Sequence, residues 1–179
     1  MDEHNDIELV ELARGGHTHA LQQLIERHYL TVYRLAYKWC GVREDAEDIA
    51  QEVFVKLVRK LQTFRQKSSF KTWLYRIAVN TAKDFNRKRA AKQVRETAFA
   101  LDQRQQNPAF TMDDTLAADR LKVAIDNLSL KQKDAVLLVF GEGLSHKEAA
   151  RTLGCMEATV SWRIFQARKR LKTSLEQGR

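Results

Sequence analysis

The sequence has little of the residues that interrupt helices or cross-link small folds. Pro108 is the only proline among 179 residues, and there are only seven glycines. The β-branched residues recur at helical spacing instead of alternating with polar residues, so strand signals are nearly absent. Cys40 and Cys155 are too few for a disulfide framework and favour a reducing compartment. Together these shortages predict an all-α protein.

Long hydrophobic runs are also missing. No apolar stretch approaches the roughly 18 residues that a membrane span needs. The N-terminus, "MDEHNDIELVE", is acidic and lacks the apolar segment of a secretory signal. We therefore expect a cytoplasmic protein that does not insert into a membrane. Hydrophobic residues still make up 44% of the chain, which is typical of a soluble protein that buries a core.

Hydrophobic periodicity divides the chain into helices. The predicted helices cover roughly residues 5–14, 18–40, 44–62, 69–92, 114–127, 130–141, 145–153 and 157–175. Two capping boxes, Ser129–Gln132 and Ser145–Glu148, mark helix starts. Between Gln93 and Thr111 the helical pattern is lost in a polar, Gln-rich stretch that contains the proline. This stretch predicts a linker between two helical domains.

Positive charge is concentrated in two blocks. The net charge is +8 and the pI is about 9.6, which favours a polyanionic partner. Residues 56–95 hold 13 Lys and Arg against a single acidic residue, and residues 145–179 hold 8 against 3. The other two segments are acidic, with 5 Lys and Arg against 11 Asp and Glu in residues 1–55 and 5 against 8 in residues 96–144. The two basic blocks predict two contact surfaces for a phosphate backbone.

The first basic block contains an amphipathic helix, "FKTWLYRIAVNTAKDFNRKR". At about 100° per residue, one face carries apolar or small side chains: Leu74, Ile77, Ala78, Thr81 and Phe85. The opposite face carries an indole, an amide and three cations: Trp73, Arg76, Asn80, Lys83 and Arg87. One interpretation is a surface that grips nucleic acid, and the other is a solvated face with one stray tryptophan.

The second basic block resembles a helix-turn-helix. Ala149 and Ala150 are small enough for close helix crossing, and Gly154 suits a turn with positive φ. The second helix would pack through Val160, Ile164 and Ala167 and expose Ser161, Trp162, Phe165, Gln166 and Lys169. A DNA-reading helix and a plain αα-hairpin both fit this pattern, and the basic end favours DNA.

Three long motifs, in order and spacing, resemble the regions that characterise one bacterial family. They are "DAEDIAQEVFVKL" (Asp45–Leu57), "FRQKSSFKTWLYRIAVNTAKDFNRKR" (Phe64–Arg89) and "LSHKEAARTLGCMEATVSWRIFQARKRLK" (Leu144–Lys172). The resemblance is to the extracytoplasmic-function (ECF) sigma factors of bacterial RNA polymerase. It implies two small helical domains, a sigma region 2 domain at 1–92 and a helix-turn-helix region 4 domain at 114–179, joined by a linker at 93–113.

The resemblance also implies a function. Such a protein binds core RNA polymerase, directs it to promoters with −10 and −35 elements, and helps to melt the DNA. It is typically held inactive by an anti-sigma factor. In this interpretation the first motif docks on polymerase through a face with three carboxylates and an amide: Asp45, Asp48, Gln51 and Glu52.

The second motif is similar to the region that recognises and melts the −10 element. The DNA contacts that the resemblance implies here are Lys56, at the end of the first motif, and Phe64, Arg65, Ser68, Ser69, Trp73, Arg76, Asn80, Lys83 and Arg87. Aromatic side chains would stack on bases and cations would contact phosphates. One flipped base would be held by Phe64, Ser68, Ser69 and Asn80.

The third motif is similar to the reader of the −35 element. Its implied DNA contacts are Thr159, Ser161, Trp162, Phe165, Gln166 and Lys169. In the family, the positions of Ser161 and Gln166 often hold Arg or Lys, and the position of Trp162 is usually small. Since Arg is the commonest reader of guanine, the resemblance does not fix which −35 sequence is preferred.

Two other classes of protein are weighed against this interpretation. A different two-domain regulator would need a sensor domain, for which residues 1–90 offer no ligand-binding pattern. A metalloenzyme could use His17 and His19, but residues two apart on a helix face different ways and no third ligand lies nearby. Phosphate-loop and nucleophile-elbow motifs are absent from the sequence. We expect no catalysis, no metal and no cofactor.

Overall fold

The computed structural model describes residues 4–97, 121 and 123–177, with side chains for all of these except 92–97, 176 and 177. All regular elements within these ranges are helical, so the all-α prediction is confirmed for the described residues. The chain divides into two compact units, Met1–Asn107 and Pro108–Arg179. None of the described helices is long and apolar enough to cross a membrane.

Residues 4–97, the described part of the first unit, contain four α-helices. They are α1 (Asp6–Arg14), α2 (Thr18–Cys40), α3 (Arg43–Lys60) and α4 (Phe70–Thr97), and a 3-10 turn at Leu61–Thr63 follows α3. Helix α2 packs against the other three helices, and α3 also packs against α4. The starts of all four and the ends of α1 and α2 lie within one residue of the predicted bounds.

Local signals fix the ends of these helices. Asn5 accepts hydrogen bonds from the backbone N–H groups of Ile7 and Glu8, and Glu8 returns one to the Asn5 N–H at 2.9 Å. This capping box satisfies backbone donors that have no partner inside α1. Gly41 ends α2 with φ of 73°, a conformation that glycine adopts without steric cost.

Large apolar side chains from all four helices form the core of the first unit. The largest that are fully buried are Tyr75, Phe70, Leu9, Leu24, Leu35, Ile49, Leu57, Leu74, Val10, Val32 and Val53. Truncating one such leucine to alanine typically costs 2–5 kcal/mol. The core therefore holds α3 and α4, which carry the predicted site residues, in a fixed relation.

Helix α4 is longer than predicted. It continues to Thr97, five residues beyond the predicted domain end at 92 and into the predicted linker at 93–113. Residues 90–97 contain no glycine or proline and are mostly strong helix formers, so their polarity is compatible with helix. Residues 98–113 of the predicted linker lie outside the described residues. So does most of the helix predicted at 114–127, although residues 123–126 are helical.

The second unit contains α5 (Leu130–Val136), α6 (His146–Leu153) and α7 (Glu157–Gln177). Residues Leu137–Gly141 continue α5 as a π-helical turn, so the helix predicted at 130–141 changes its winding over its last five residues. Helix α7 packs against both α5 and α6. Both predicted capping boxes are present, at Ser129 before α5 and at Ser145 before α6.

Helices α6 and α7 form the predicted helix-turn-helix. Gly154 ends α6 with φ of 65°, as its position in the sequence indicated. The alanines Ala149 and Ala150 are buried against the inward face of α7, where Val160, Ile164 and Ala167 are also buried. Small side chains on α6 thus allow the two helices to approach closely.

Candidate nucleic-acid interface

Between Thr72 and Asn86, helix α4 exposes a narrow polar stripe, and from Arg87 to Ala91 all of its residues are exposed. Arg76, Asn80, Lys83 and Arg87 are all exposed and lie on successive turns, as the helical projection predicted. The predicted inward residues Leu74, Ile77, Ala78 and Thr81 are buried, and Phe85 is half-buried. The structure also buries Tyr75, Val79 and Ala82, because α4 packs against both α2 and α3. The stripe is therefore the face that the packing leaves to solvent.

Trp73 stands at the start of this stripe, half-buried in an aromatic cluster. Its ring centroid lies 5.1 Å from that of Phe64 and 5.9 Å from that of Phe70. Phe64 and Phe70 meet edge to face at 5.8 Å. Such pairs stabilise the packing by about 0.5–1.5 kcal/mol beyond burial alone. The cluster therefore holds the half-buried Trp73 ring in place one helical turn before Arg76.

The structure buries Phe64, which the sequence interpretation assigned to the loop that holds a flipped base. Its side chain is only 3% exposed and lies beneath the loop. A phenylalanine that is packed against two other aromatic rings gains more from burial than from exposure to water. In this conformation Phe64 supports the loop from below, and the surface of the loop is formed by exposed Arg65 and Ser69 and half-buried Ser68.

Ser69 also caps α4. Its hydroxyl accepts a hydrogen bond from the backbone N–H of Thr72 at 3.2 Å and lies 2.8 Å from the Thr72 hydroxyl. A serine just before the first helical residue is a typical N-cap, so this role could have been predicted from the sequence. The cap anchors the end of the loop at the point where the polar stripe of α4 begins.

Helix α1 contributes contacts to the same loop that sequence reasoning missed. The Arg14 guanidinium donates to two carbonyl oxygens, those of Leu61 and Phe64, and Gln66 donates to the Glu11 carboxylate. These residues lie 47 to 55 positions apart in sequence. No local pattern signals contacts over such a separation.

Lys56 does not stand alone as a cation for DNA. Its ammonium nitrogen lies 3.2 Å from the Thr81 hydroxyl, 3.5 Å from the Glu52 carboxylate and 4.0 Å from the Asp84 carboxylate. The Glu52 pair joins a residue predicted to bind polymerase to one predicted to bind DNA. Helical spacing of i and i+4 brings the two together. Lys56 therefore links α3 to α4 and its charge is offset locally.

The predicted polymerase-facing residues lie on one face of α3, and three of the four are exposed to solvent. Asp48, Gln51 and Glu52 are exposed. The Asp45 side chain is only 19% exposed and forms an ion pair with Arg89 on α4. Val55 and Val58 extend the exposed face and are 45% and 48% exposed. The sequence signal for these two residues was an apolar pair at outward positions of an amphipathic helix.

The outward face of α7 carries the predicted −35 residues. Trp162 and Phe165 are 60% and 65% exposed, Lys169 is exposed, and Thr159 and Gln166 are half-buried. Ser161 is exposed, but its hydroxyl donates to the Glu157 carbonyl at 3.2 Å and lies 2.8 Å from the His146 ring.

Met156, in the turn before α7, is 74% exposed. The sequence analysis did not single it out, although a methionine in a turn between two helices is a recognisable sign of an exposed apolar side chain. Met156, Trp162 and Phe165 are thus three large apolar side chains exposed at or near the start of the basic helix α7.

Among the described side chains of the first unit, two titratable groups have clearly shifted pKa values, and neither lies on the exposed stripe. Burial lowers the pKa of His28, while the Asp6 carboxylate at 2.9 Å acts in the opposite direction. Burial also raises the pKa of the Cys40 thiol, which donates to the Val42 carbonyl at 3.2 Å.

The histidines weighed as metal ligands lie near the start of α2. His17 is its N-cap residue, and the His19 ring lies 3.2 Å from the Gln23 amide nitrogen. Among the described residues, no group of three or more His, Cys, Asp and Glu could hold a metal ion.

Comparison with known proteins identifies the family. The sequence matches Sigma-70 region 2 over residues 24–92 and Sigma-70 region 4 over residues 118–171. It is 32% identical over 181 residues to the ECF RNA polymerase sigma-E factor of Haemophilus influenzae, covering 96% of this chain and 95% of that relative. It is 35% identical over 156 residues to the ECF RNA polymerase sigma factor SigE of Mycolicibacterium smegmatis. That alignment covers 86% of this chain but only 60% of the length of the relative.

Two solved structures are similar to the chain. The structure of CnrH in complex with the cytosolic domain of CnrY has a TM-score of 0.71 and 26% identity, and covers 94% of this chain and 96% of that one. The sigma factor RpoE in complex with the anti-sigma factor NepR from Bartonella quintana has a TM-score of 0.70 and 27% identity, covering 88% and 98%. From the region 2 and region 4 matches and the relatives above 30% identity, the chain belongs to the ECF sigma factors, which are initiation factors of bacterial RNA polymerase and not a family of enzymes.

Proposed function

We propose that the first unit grips the −10 region of promoter DNA through the α4 stripe and the adjoining loop. The observation that carries this proposal is the exposed stripe of Arg76, Asn80, Lys83 and Arg87, which continues from the half-buried Trp73. Cations spaced along one helix face suit a phosphate backbone, and an indole and an amide suit bases that have left the stack. In the conformation described, Phe64 acts from beneath the loop, while Ser68, Ser69 and Asn80 offer polar groups to a flipped base.

The test compares open-complex formation on a duplex promoter with open-complex formation on a template that is already melted. Asn80→Ala should slow open-complex formation on a duplex promoter several-fold and have little effect on a template that is already melted. The matched control is Asn86→Ala, because Asn86 lies half-buried on another face of the same helix. Permanganate reactivity of thymines in the −10 region measures opening. Equal defects on duplex and melted templates would contradict a role for Asn80 in melting.

The α3 face would bind core RNA polymerase. It offers exposed carboxylates at Asp48 and Glu52, followed by an apolar pair at Val55 and Val58. Carboxylates complement a basic partner, and exposed valines are typical of a surface that is covered in a complex. Asp45 would act partly through its ion pair with Arg89.

The outward face of α7 would read the −35 element. Gln166 can pair bidentately with adenine, and Phe165 can contact a thymine methyl group. Ser161 is held by His146 and Glu157 in the free protein, so a base contact by its hydroxyl would require that pairing to change. Thr159 and Lys169 lie at opposite ends of this surface and would contact the backbone.

An anti-sigma factor would regulate the chain by covering the α3 face. Support comes from the two similar structures, one a complex with the anti-sigma factor NepR and the other a complex with the cytosolic domain of CnrY. A regulator on this face must compete with core polymerase. A stable ternary complex of regulator, this chain and core polymerase would contradict the proposal.

We further propose that the chain acts in the cytoplasm, without a cofactor or catalysis of its own. RNA synthesis should therefore require added core polymerase.

We propose a region 2 domain at 1–92 whose last helix continues to 97, a linker up to 113 and a region 4 domain at 114–179. Fragments 1–97 and 114–179, expressed separately, should each unfold cooperatively; a fragment without a cooperative transition would contradict these boundaries.

A further inference from the structure

Helix α1 holds the loop that precedes α4 through one arginine. The Arg14 Nε donates to the Leu61 carbonyl at 3.0 Å, and one terminal nitrogen donates to the Phe64 carbonyl. The other terminal nitrogen donates to the Glu11 carboxylate at 2.8 Å. The two carbonyls lie at either end of the 3-10 turn. Arg14 is only 18% exposed, so its guanidinium fixes the backbone where the loop leaves α3.

Glu11 extends this attachment to the middle of the loop. The oxygen that accepts from Arg14 also accepts from the Gln66 side-chain amide at 3.0 Å. Gln66 has φ of 54° and is the only described residue other than glycine with positive φ. An L-residue seldom adopts this conformation without a compensating contact, and the bond to Glu11 provides one. The Gln62 side chain adds a bond to the Arg14 carbonyl at 3.3 Å.

These contacts come from outside the part of the chain that matches Sigma-70 region 2. Helix α1 spans Asp6–Arg14, whereas the match begins at residue 24. The loop itself is anchored at its ends by the burial of Phe64 and Phe70. Between these anchors Arg65, Gln66, Lys67 and Ser69 are exposed. The contacts from α1 therefore hold this exposed segment at Gln66 and at the carbonyl of Phe64, which immediately precedes it.

We propose that Arg14 and Glu11 are positioning residues that hold the loop at residues 64–69 in the geometry needed to select the flipped base of the −10 element. This inference rests on the proposed −10 function of the loop. Hydrogen-bond selection requires groups placed to within about 0.5 Å, so a loop free to relax would still contact DNA but would discriminate poorly. A lysine at position 14 would keep the charge but lacks the planar fork that reaches two carbonyls and a carboxylate.

The experiment measures base preference with the full chain bound to core polymerase. Fluorescence anisotropy gives the affinity for single-stranded −10 oligonucleotides that carry each of the four bases at each position in turn. Wild type should show a preference of about 5- to 150-fold at one position. Arg14→Lys and Glu11→Ala should reduce this ratio several-fold. Glu11→Gln retains the acceptor oxygen for Gln66 and should keep most of the preference.

The matched control is Arg34→Lys, which makes the same chemical change at an exposed arginine on α2. It should leave the preference unchanged. Core-polymerase affinity and the thermal unfolding midpoint are measured for every variant. In the supporting outcome, Arg14→Lys and Glu11→Ala lose preference while polymerase affinity and the average oligonucleotide affinity stay within about twofold.

Three results would overturn the inference in distinguishable ways. If wild type discriminates and Arg14→Lys discriminates equally well, the loop is not positioned by α1, although the proposed −10 function stands. If both loss variants lose polymerase binding together with base preference, Arg14 and Glu11 serve only the fold. If wild type shows no preference at any position, the proposed function of the loop fails and the inference fails with it.

Discussion

The ion pair between Asp45 and Arg89 should contribute measurably to the stability of the first unit. The Asp45 side chain is 19% exposed and that of Arg89 is 44% exposed, so solvent screens part of the attraction. Partly exposed pairs typically contribute about 0.2–1 kcal/mol. Asp45 also lies in the first turn of α3, where a carboxylate adds about 0.3–1 kcal/mol through the helix dipole. We therefore expect Asp45→Asn to cost about 1 kcal/mol, roughly half of it through Arg89.

A double-mutant cycle separates these two contributions. Asp45→Asn, Arg89→Met and the double variant are unfolded in urea and followed by tryptophan fluorescence. A Trp162→Phe background restricts the signal to Trp39 and Trp73, both in the first unit. The coupling free energy should be about 0.5 kcal/mol, and thermal midpoints should shift by about 4–8 °C per kcal/mol. Strictly additive single effects would refute the ion-pair reasoning.

Asp48→Asn provides the comparison on the same helix. Asp48 is exposed, so its loss should leave the free energy of unfolding unchanged while it weakens binding to core polymerase. Asp45→Asn should weaken both. If Asp48→Asn binds core polymerase as tightly as wild type, the assignment of this face to polymerase is wrong.

Three further predictions concern other parts of the molecule. Burial lowers the pKa of His28 below 6.5 in the folded protein. As the pH falls, this histidine therefore binds a proton in the unfolded chain before it does so in the folded chain. The free energy of unfolding should therefore fall as pH drops below about 6.5, less steeply for His28→Gln than for wild type; equal slopes in urea titrations would contradict this. Arg76→Gln should make the slope of log affinity against log salt concentration, measured for the holoenzyme on promoter DNA, shallower by about 1, the equivalent of one counterion. An unchanged slope would mean that Arg76 does not contact a phosphate. In a selection over randomised −35 sequences, Gln166→Arg should change the preferred sequence, whereas Lys169→Ala should weaken all sequences about equally; an unchanged preference for Gln166→Arg would mean that this face does not read bases.

The helices could be predicted from the sequence because their signals are local. Hydrophobic spacing, capping boxes and turn glycines such as Gly154 act over a few residues, so most predicted bounds lie close to the observed ones. The sequence predicts an end of α4 that is five residues too early, because polar composition is typical of linkers as well as of exposed helix. A polar segment rich in strong helix formers can continue a helix in solvent.

The candidate site was only partly predictable. The exposed stripe of α4 follows from helical geometry, and Arg76 and Asn80 lie where the projection placed them. The burial of Phe64 depends on Phe70 and Trp73 closing around it, which is a matter of tertiary packing. The Arg14 contacts join residues about 50 positions apart, and periodicity carries no information about such pairs.

This chain should give core RNA polymerase its choice of promoter. Purified core polymerase is combined with the full chain and a DNA library randomised over the −35 and −10 regions, and the transcripts are sequenced. We expect enrichment of two short sequence elements at a fixed separation upstream of the start site, and only when the chain is present. Transcripts with the same start-site distribution with and without the chain would contradict it.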